Sequence, residues 1–447
     1  MSTTTNTKKE KNVYVQMVAR DMGVPYQEAL DKMKKIKSEY QITYSEFARN
    51  HLFDFSGEIL EQKAENIVSE KKKKEQFAIS KVMEATGWTK EHATEEARRV
   101  HDIFQISTRM YWLRQLYAKS DSEIRAYKDQ TTQEKAQRME KIKAESGWTM
   151  DQIKSHMAHC KVHFDISSVE YYCNFRCWEL SDDQLTTFAV DEDSRKLSRK
   201  YNVDPTILSN KQKFNTTFQP FLGRKYWVNK GSSFASFLEF ASGIDKAFCK
   251  PLSLSMGVGT KIIEIPKDEE ALFQLYQKFS QDIEILLEEC IPQHPVMSQV
   301  YDGSVNTVRF TMLRNGDQIH RLWSFVRFGR NGIIDNFHGG GLAAAVDVNT
   351  GIILSDAMDS QGEFYKEHPT SKIPFKGFQI PYWDQVLEIT EKAMASQDAI
   401  NYVGWDVAIC PDKVVLVEGN STPQVGVYQS ILAPTKEGQK KVYEKFL

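Results

Sequence analysis

The sequence predicts an α+β protein: an all-α domain of three helical repeats over residues 1–195, then a mixed unit with one lobe at 196–290 and another at 291–447. Three observations carry this reading. Up to about residue 195, Glu, Lys, Ala and Met recur at helical spacing, and Pro25 is the only proline. Within that stretch one pattern recurs in modules at about 13–75, 77–135 and 137–195. From Tyr201 onward, apolar runs of strand length alternate with helical segments, the order expected where helices cover sheets.

Gly23-Val24-Pro25, Gly87-Trp88-Thr89 and Gly147-Trp148-Thr149 are the repeated element. Each glycine precedes an aromatic by seventeen residues (Tyr40, Phe104, Phe164), then an isoleucine (Ile42, Ile106, Ile166). Thr43, Ser107 or Ser167 follows, and then Phe47, Tyr111 or Tyr171 at a common offset without a gap. The glycine closes one helix, Thr89 or Thr149 caps the next, and the Ile-Ser/Thr pair ends that helix and caps a third. Stacking such modules would bury the aromatics against neighbours and present one extended surface, with Lys71 to Lys74 as a solvated face.

In the third module His159, His163, Cys173 and Cys177 form two i, i+4 pairs that could hold zinc if their helices faced each other. Tyr171, Tyr172, Phe175 and Trp178 surround the cysteines, and buried core thiols are the preferred reading.

With 447 residues, 41% hydrophobic and 26% charged, the chain can bury large cores. Its 58 basic and 60 acidic residues give a net charge of -2 and no global case for nucleic-acid or membrane binding. MSTTTNTKKEKN lacks the apolar region of a signal peptide, no apolar run reaches eighteen residues, and six cysteines show no disulfide spacing. A cytoplasmic protein without a transmembrane segment is expected.

The chemistry concentrates in Gly404 to Pro423, GWDVAICPDKVVLVEGNSTP. Asp406 lies in one strand, and Glu418 and Asn420 share a face of the next, so all three can reach one ion. Two carboxylates and an amide oxygen are too few for a calcium cage and suit Mg²⁺, which takes further ligands from water and phosphates.

Together with NTVRF (306–310), DNFHGGG (335–341), HPT (368–370) and VEGN (417–420), this segment resembles the metal-binding end of the ATP-grasp superfamily. More narrowly it is similar to the sugar-transfer-associated ATP-grasp group, over roughly residues 164–447. The resemblance implies an ATP-grasp catalytic domain whose two lobes hold ATP. Lys211, with Phe214 three residues on, looks like the family's first lysine; Lys250 would contact phosphate oxygens as a point charge. The following loop contains Gly257, Gly259, Ser253 and Ser255, fewer glycines than many relatives carry. Backbone groups of Glu288, Glu289 and Ile291 would read the adenine edge, and Asn306 is a further ATP-binding position.

Arg309, and after it Arg327, are the candidates to neutralise a transferring phosphoryl group, since guanidinium matches phosphate geometry and stays charged. IIDNFHGGGLAAAVD reads as strand, glycine turn and strand, with something packed close against Gly339 to Gly341. His338 could accept a proton from an attacking amine, bond a phosphate or brace the turn.

The resemblance implies a carboxylate-amine ligase using ATP and Mg²⁺ through an acylphosphate, on a uronic-acid sugar or polysaccharide precursor. A carrier peptide or glycan precursor would lie on the helical repeats. The alternatives are a peptide ligase acting on a carrier peptide, a kinase, and a degenerate scaffold. Intact Asp406, Glu418, Asn420 and Lys250 argue against the last.

Overall fold

Polar caps and left-handed stops divide the N-terminal stretch into helices α1 (Val13–Met22), α2 (Tyr26–Tyr40), α3 (Tyr44–Arg49), α4 (Gly57–Thr86), α5 (Lys90–Phe104), α6 (Thr108–Leu113), α7 (Asp121–Ser146), α8 (Met150–His163) and α9 (Val169–Asn174). The computed structural model describes residues 12–252, 260–281, 284–330, 332–333 and 335–447. Gly23, Gly87 and Gly147 end α1, α4 and α7 with φ of 67°, 72° and 71°, a region where a Cβ is strained. Thr89 and Thr149 cap α5 and α8, and Thr43 and Ser107 cap α3 and α6.

At the third position the expected register fails by one residue. Ser168, not Ser167, accepts the amides of Glu170 and Tyr171 and starts α9. Every side chain beyond it therefore turns one step around the helix, and Tyr172 rather than Tyr171 is the fully buried aromatic.

The helices also pack differently from a linear stack. Val162 of α8 joins the core of Val15, Val18, Met33, Phe47 and Leu52, so α8 rests on α1 and α3 rather than only on its sequence neighbours. Arg49 pairs with Asp165, and His163 Nε2 lies 3.4 Å from Asp21 Oδ2. Each fully buried side chain here contributes roughly 1.5–3 kcal/mol. Helix α4 spans two cores, with Leu60 and Ala64 in the first and Ile79 and Val82 in the second. Between them residues 69–77 are exposed, Lys71 to Lys74 included.

The described chain divides into Met1–Leu180 and Ser181–Leu447. Short helices α10 (Asp182–Leu185), α11 (Asp191–Tyr201), α12 (Thr206–Ser209) and α13 (Lys211–Thr217) thus lie with the second unit. That unit is built on two antiparallel sheets. The smaller contains β1 (Tyr226–Val228), β2 (Lys246–Pro251), β3 (Lys261–Glu264) and β4 (Ile285–Glu289) in the order β1-β4-β2-β3. Its first and last strands are neighbours, so the chain enters and leaves this lobe side by side.

The larger sheet contains β5 (Thr307–Asn315), β6 (Gln318–Phe328), β7 (Leu342–Val346), β8 (Ala357–Met358), β9 (Phe364–Tyr365), β10 (Tyr402–Ile409) and β11 (Val414–Asn420), ordered β11-β10-β5-β6-β7-β8-β9. Its central strands β5 and β10 are buried on both faces and so read as largely apolar runs, interrupted by Arg309 and Asp406. One face, with Val308, Phe310, Val326, Trp405 and Leu416, packs into the main core. The other carries Trp323, Phe325 and Tyr402 at one end and charged side chains at the other.

One sequence expectation meets a different structure here. Asp335 and Asn336 are not in a strand; they lead into a 3₁₀ turn, Phe337–Gly339, before β7. The close approach at the glycines is by the chain itself, since a Cβ on Gly341 would lie 2.5 Å from the Asp335 carbonyl oxygen. His368 of the HPT motif is buried as a brace. Its Nδ1 accepts from the amides of Thr370 and Ser371 at 3.3 and 3.4 Å, which leaves Nε2 to donate to the Gly329 carbonyl at 2.9 Å.

Candidate active site

Arg309, Asp406 and Glu418 occupy one row across β5, β10 and β11, because Asp406 is the register partner of both. The register shifts between Asp406 and Val407 because β11 holds one extra residue there, Val417, and such a bulge is a common device for aiming a side chain. Arg309 forks onto Asp406, with Nε on one oxygen and Nη2 3.0 Å from the other. Arg327 adds Nη2 to Asp406 Oδ2 at 2.8 Å and sits 3.4 Å from Asp335, which accepts the Thr307 amide and hydroxyl. Burial raises the Asp406 carboxyl, but Arg309 and Arg327 outweigh it and hold it well below the usual carboxylate range. For Glu418 the balance reverses: burial and then the neighbouring Asp406 push it up.

The glycines of GWD and EGN have local reasons. A Cβ on Gly404 would lie 3.0 Å from Arg309 Cδ and from Pro423, so only glycine leaves the arginine room to lie flat. A Cβ on Gly419 would lie 2.7 Å from Leu208 Cδ2 and 3.1 Å from Phe214, which is where α12 and α13 sit on the sheet. Phe214 and Phe218 pack on Trp405, with ring centroids 6.5 and 5.0 Å away, and this seats the helix that begins with Lys211.

Two carboxylates on paired strand positions, Asp406 buried and Glu418 open to the cavity, repel unless a proton or a cation lies between them, and the raised Glu418 is the proton-sharing answer. A hard divalent cation can replace that proton. Asn420, which directs Nδ2 to the Gly404 carbonyl at 3.5 Å, keeps its oxygen for the ion. The donor set fits Mg²⁺. Among the described residues no group of three or more His, Cys, Asp or Glu is arranged to hold a metal. His159, His163, Cys173 and Cys177 therefore form no zinc site: the two imidazoles lie tilted against each other with centroids 4.6 Å apart and His163 near Asp21, while Cys177 hydrogen-bonds Cys160.

On the smaller sheet Glu288 is a hub. Its Oε1 accepts from Asn215 at 3.0 Å and from Arg224 at 2.6 and 3.1 Å, and its Oε2 accepts from Lys250. Burial raises this carboxyl, and Arg224 and Lys250 overcome that to hold it well below the usual range. Lys211 donates to the Pro251 carbonyl at 3.3 Å, and burial lowers its proton affinity.

These groups line one cavity of about 540 Å³: Lys211, Lys250, Glu288, Glu289, Ile291, Arg309, Arg327, His338, Asp406, Glu418 and Asn420 all contribute. Asn306 does not. Its amide is buried, bonding the Met297 and Tyr301 carbonyls at 3.0 and 2.8 Å and the Gly329 amide at 3.1 Å, so it braces a turn. Glu288 and Glu289 depart from the expected backbone role. Glu288 is central in the sheet and acts through its side chain, and the Glu289 amide already donates to Lys225 at 3.0 Å. Gly257, Gly259, Ser253 and Ser255 lie outside the described residues. Sequence reasoning missed Asn215, Arg224, Thr307 and Asp335. Only Thr307, inside NTVRF, and Asp335, inside DNFHGGG, carried a local signal.

Residues 256–440 match the family model of sugar-transfer associated ATP-grasp. Among solved structures, D-alanine–D-alanine ligase from Bacillus anthracis is 12% identical over 53% of this chain and 66% of its own, with a TM-score of 0.31. The corresponding values are 13%, 53%, 57% and 0.30 for D-alanine–D-alanine ligase from Coxiella burnetii, and 13%, 56%, 62% and 0.33 for VanG D-Ala:D-Ser ligase from Enterococcus faecalis. The chain thus spans less than two thirds of the length of each. No curated protein matches it.

Proposed function

We propose that this chain, whose residues 256–440 form a sugar-transfer associated ATP-grasp segment, is an ATP-dependent carboxylate-amine ligase. One observation carries the reading: a single cavity is lined by lysines from α13 and β2, by arginines from β5 and β6, and by the carboxylate pair of β10 and β11. Such a set suits a triphosphate, and among the described residues lining the cavity no Ser or Cys is paired with a base, so in this reading the acceptor belongs to the substrate.

Lys211 and Lys250 bind the phosphates, with the adenine toward Glu289 and Ile291. Asp406, Glu418 and Asn420 would hold Mg²⁺, which when bound neutralises phosphate charge. Arg309 and Arg327 stabilise charge on the transferring γ-phosphoryl group. A carboxylate oxygen of the acceptor forms the new bond to phosphorus as ADP leaves. The amine then attacks the acylphosphate carbon, phosphate departs, and His338 takes the proton that the amine gives up. A uronic-acid sugar or polysaccharide precursor is the acceptor we favour.

The helical unit is read as three copies of one module. Support comes from the left-handed stops at Gly23, Gly87 and Gly147, and from His51, Gln115 and Arg176 at φ of 47°, 54° and 55° ahead of three short 3₁₀ turns.

The test is turnover with ATP, Mg²⁺ and a panel of uronic acids and amines. ADP release that requires both an acid and an amine is expected. Release with the acid alone would make the protein a kinase. Absence of ATP-dependent thermal stabilisation would leave a scaffold.

A further inference from the structure

Arg224 has no place in the phosphoryl-transfer chemistry above, yet it is among the most completely satisfied charges in the protein. Its side chain is 3% exposed. Nε and Nη2 donate to Glu288 Oε1 at 3.1 and 2.6 Å, Nη2 also to the Val417 carbonyl at 3.0 Å, and Nη1 to the carbonyls of Leu416 at 2.6 Å and Leu222 at 3.3 Å. All five N–H groups of the guanidinium are committed, so none remains for a phosphate.

Its position is equally specific. Leu416 and Val417 precede Glu418 on β11, whereas Glu288 lies on β4 of the smaller sheet. Arg224 therefore joins the strand of the carboxylate pair to the lobe that carries Lys250. The preceding Gly223 has φ of 56°, and a Cβ there would lie 2.5 Å from Val415 Cγ1, so the backbone is pressed onto β11. One residue later the chain enters the smaller lobe, with Lys225 and Glu289 bonded amide to carbonyl at 3.0 Å.

Charge counting gives this connection a purpose. Glu288 alone with Lys250 would be a closed pair of zero net charge, and the lysine would offer little to an anion. With Arg224 present the trio carries +1. The buried guanidinium answers the carboxylate, and the ammonium, 24% exposed, keeps its charge for the cavity.

We infer that Arg224 is a positioning residue that neutralises Glu288 from its anchorage on β11 and so frees the charge of Lys250 for the nucleotide phosphates. The inference rests on the proposed ATP site, and it separates charge from shape. Arg224→Met removes the positive charge and leaves Glu288 to Lys250. Arg224→Met/Glu288→Gln removes both charges and returns the net +1.

Two measurements on the full chain test it. In titration calorimetry with ATP and Mg²⁺, Arg224→Met should bind about tenfold or more weakly, with the effect in KM rather than kcat, and the double variant should recover to within about threefold of wild type. In the absence of nucleotide, acetic anhydride labelling of Lys250, read by mass spectrometry, should slow in Arg224→Met and return in the double variant. Labelling does not depend on the ATP reading. If wild type fails to bind ATP, that reading falls, and labelling alone decides the role of Arg224. Unchanged labelling in Arg224→Met, or a double variant as impaired as the single, overturns the inference. Should Arg224→Met not fold, Glu288→Gln carries the claim from the other side: Lys250 should label faster than in wild type, and an unchanged rate overturns it.

Discussion

Asp406→Asn and Glu418→Gln each neutralise one carboxyl of the same pair, and the structure expects very unequal effects on stability. Asp406 receives Arg309 and Arg327 in a region where the three side chains are 1%, 6% and 15% exposed. With Asn in its place, Arg327 retains Asp335 at 3.4 Å, but the Arg309 guanidinium is left buried against a neutral amide. Breaking a buried pair from one side costs about 3–5 kcal/mol. The amide oxygen still accepts one bond, so the lower end applies: about 3 kcal/mol, or a melting temperature lower by on the order of 10 °C for a unit of this size. Glu418→Gln keeps a donor toward Asp406 and deletes a carboxyl that burial already disfavours as an anion, so it should change stability by less than about 1 kcal/mol.

The pH dependence follows from the same pair. A raised Glu418 means the folded state holds a proton that the unfolded state releases near 4.5. The metal-free protein gains from this at low pH and loses the gain as pH rises through the folded value. Thermal melts of wild type and both variants, from pH 4 to pH 8 with and without Mg²⁺, measure all of this. Wild type should fall with rising pH more steeply than Glu418→Gln, and Mg²⁺ should restore wild type at neutral pH but not Glu418→Gln. The reasoning is refuted if Glu418→Gln melts as low as Asp406→Asn, or if Asp406→Asn melts like wild type.

Gly404→Ala places a methyl 3.0 Å from Arg309 Cδ and Pro423, and should cost about 1–3 kcal/mol in melting while lowering turnover; wild-type behaviour would show that Arg309 has room to move. Burial lowers the proton affinity of His368, so stability should decline as pH drops below 6.5, and the decline should be shallower in His368→Gln. Equal slopes in the two melts would remove His368 as its source. Deleting residues 1–55 strips α1–α3 from Val162 of α8, and circular dichroism should record a loss of helix larger than those three helices contain. A loss matching only the deleted helices would mean that α8 needs no partner there.

What the sequence displays is local periodicity, and the elements that depend on it are the legible ones. Glu418 and Asn420 share a face because strand side chains alternate, and Asp406 and Arg309 stand out as charges inside apolar runs. Gly23, Gly87 and Gly147 announce helix ends because few residues adopt their φ. Arg224 was hidden because its partners lie 64, 192 and 193 residues away, and nothing in GRK distinguishes it from a surface charge. Asn306 misled for the complementary reason: beside an expected phosphate-binding arginine it looks functional, and only the carbonyls of Met297 and Tyr301 reveal a brace. The single-residue shift at Ser168 was ambiguous in Ser167-Ser168, where either hydroxyl could cap.

The seating of α8 on α1 and α3 also sets an order of events at the ribosome. Val15, Val18 and Phe47 are synthesised early, but the side chain that closes over them, Val162, follows about a hundred residues later. At about 5–20 residues per second that interval is roughly 5–20 seconds. Throughout it the first half-core stays open, so a chain stalled in α5, α6 or α7 exposes an apolar face that a finished chain never shows. Pauses in translation between residues 90 and 150 should therefore be the ones most prone to yield aggregated product.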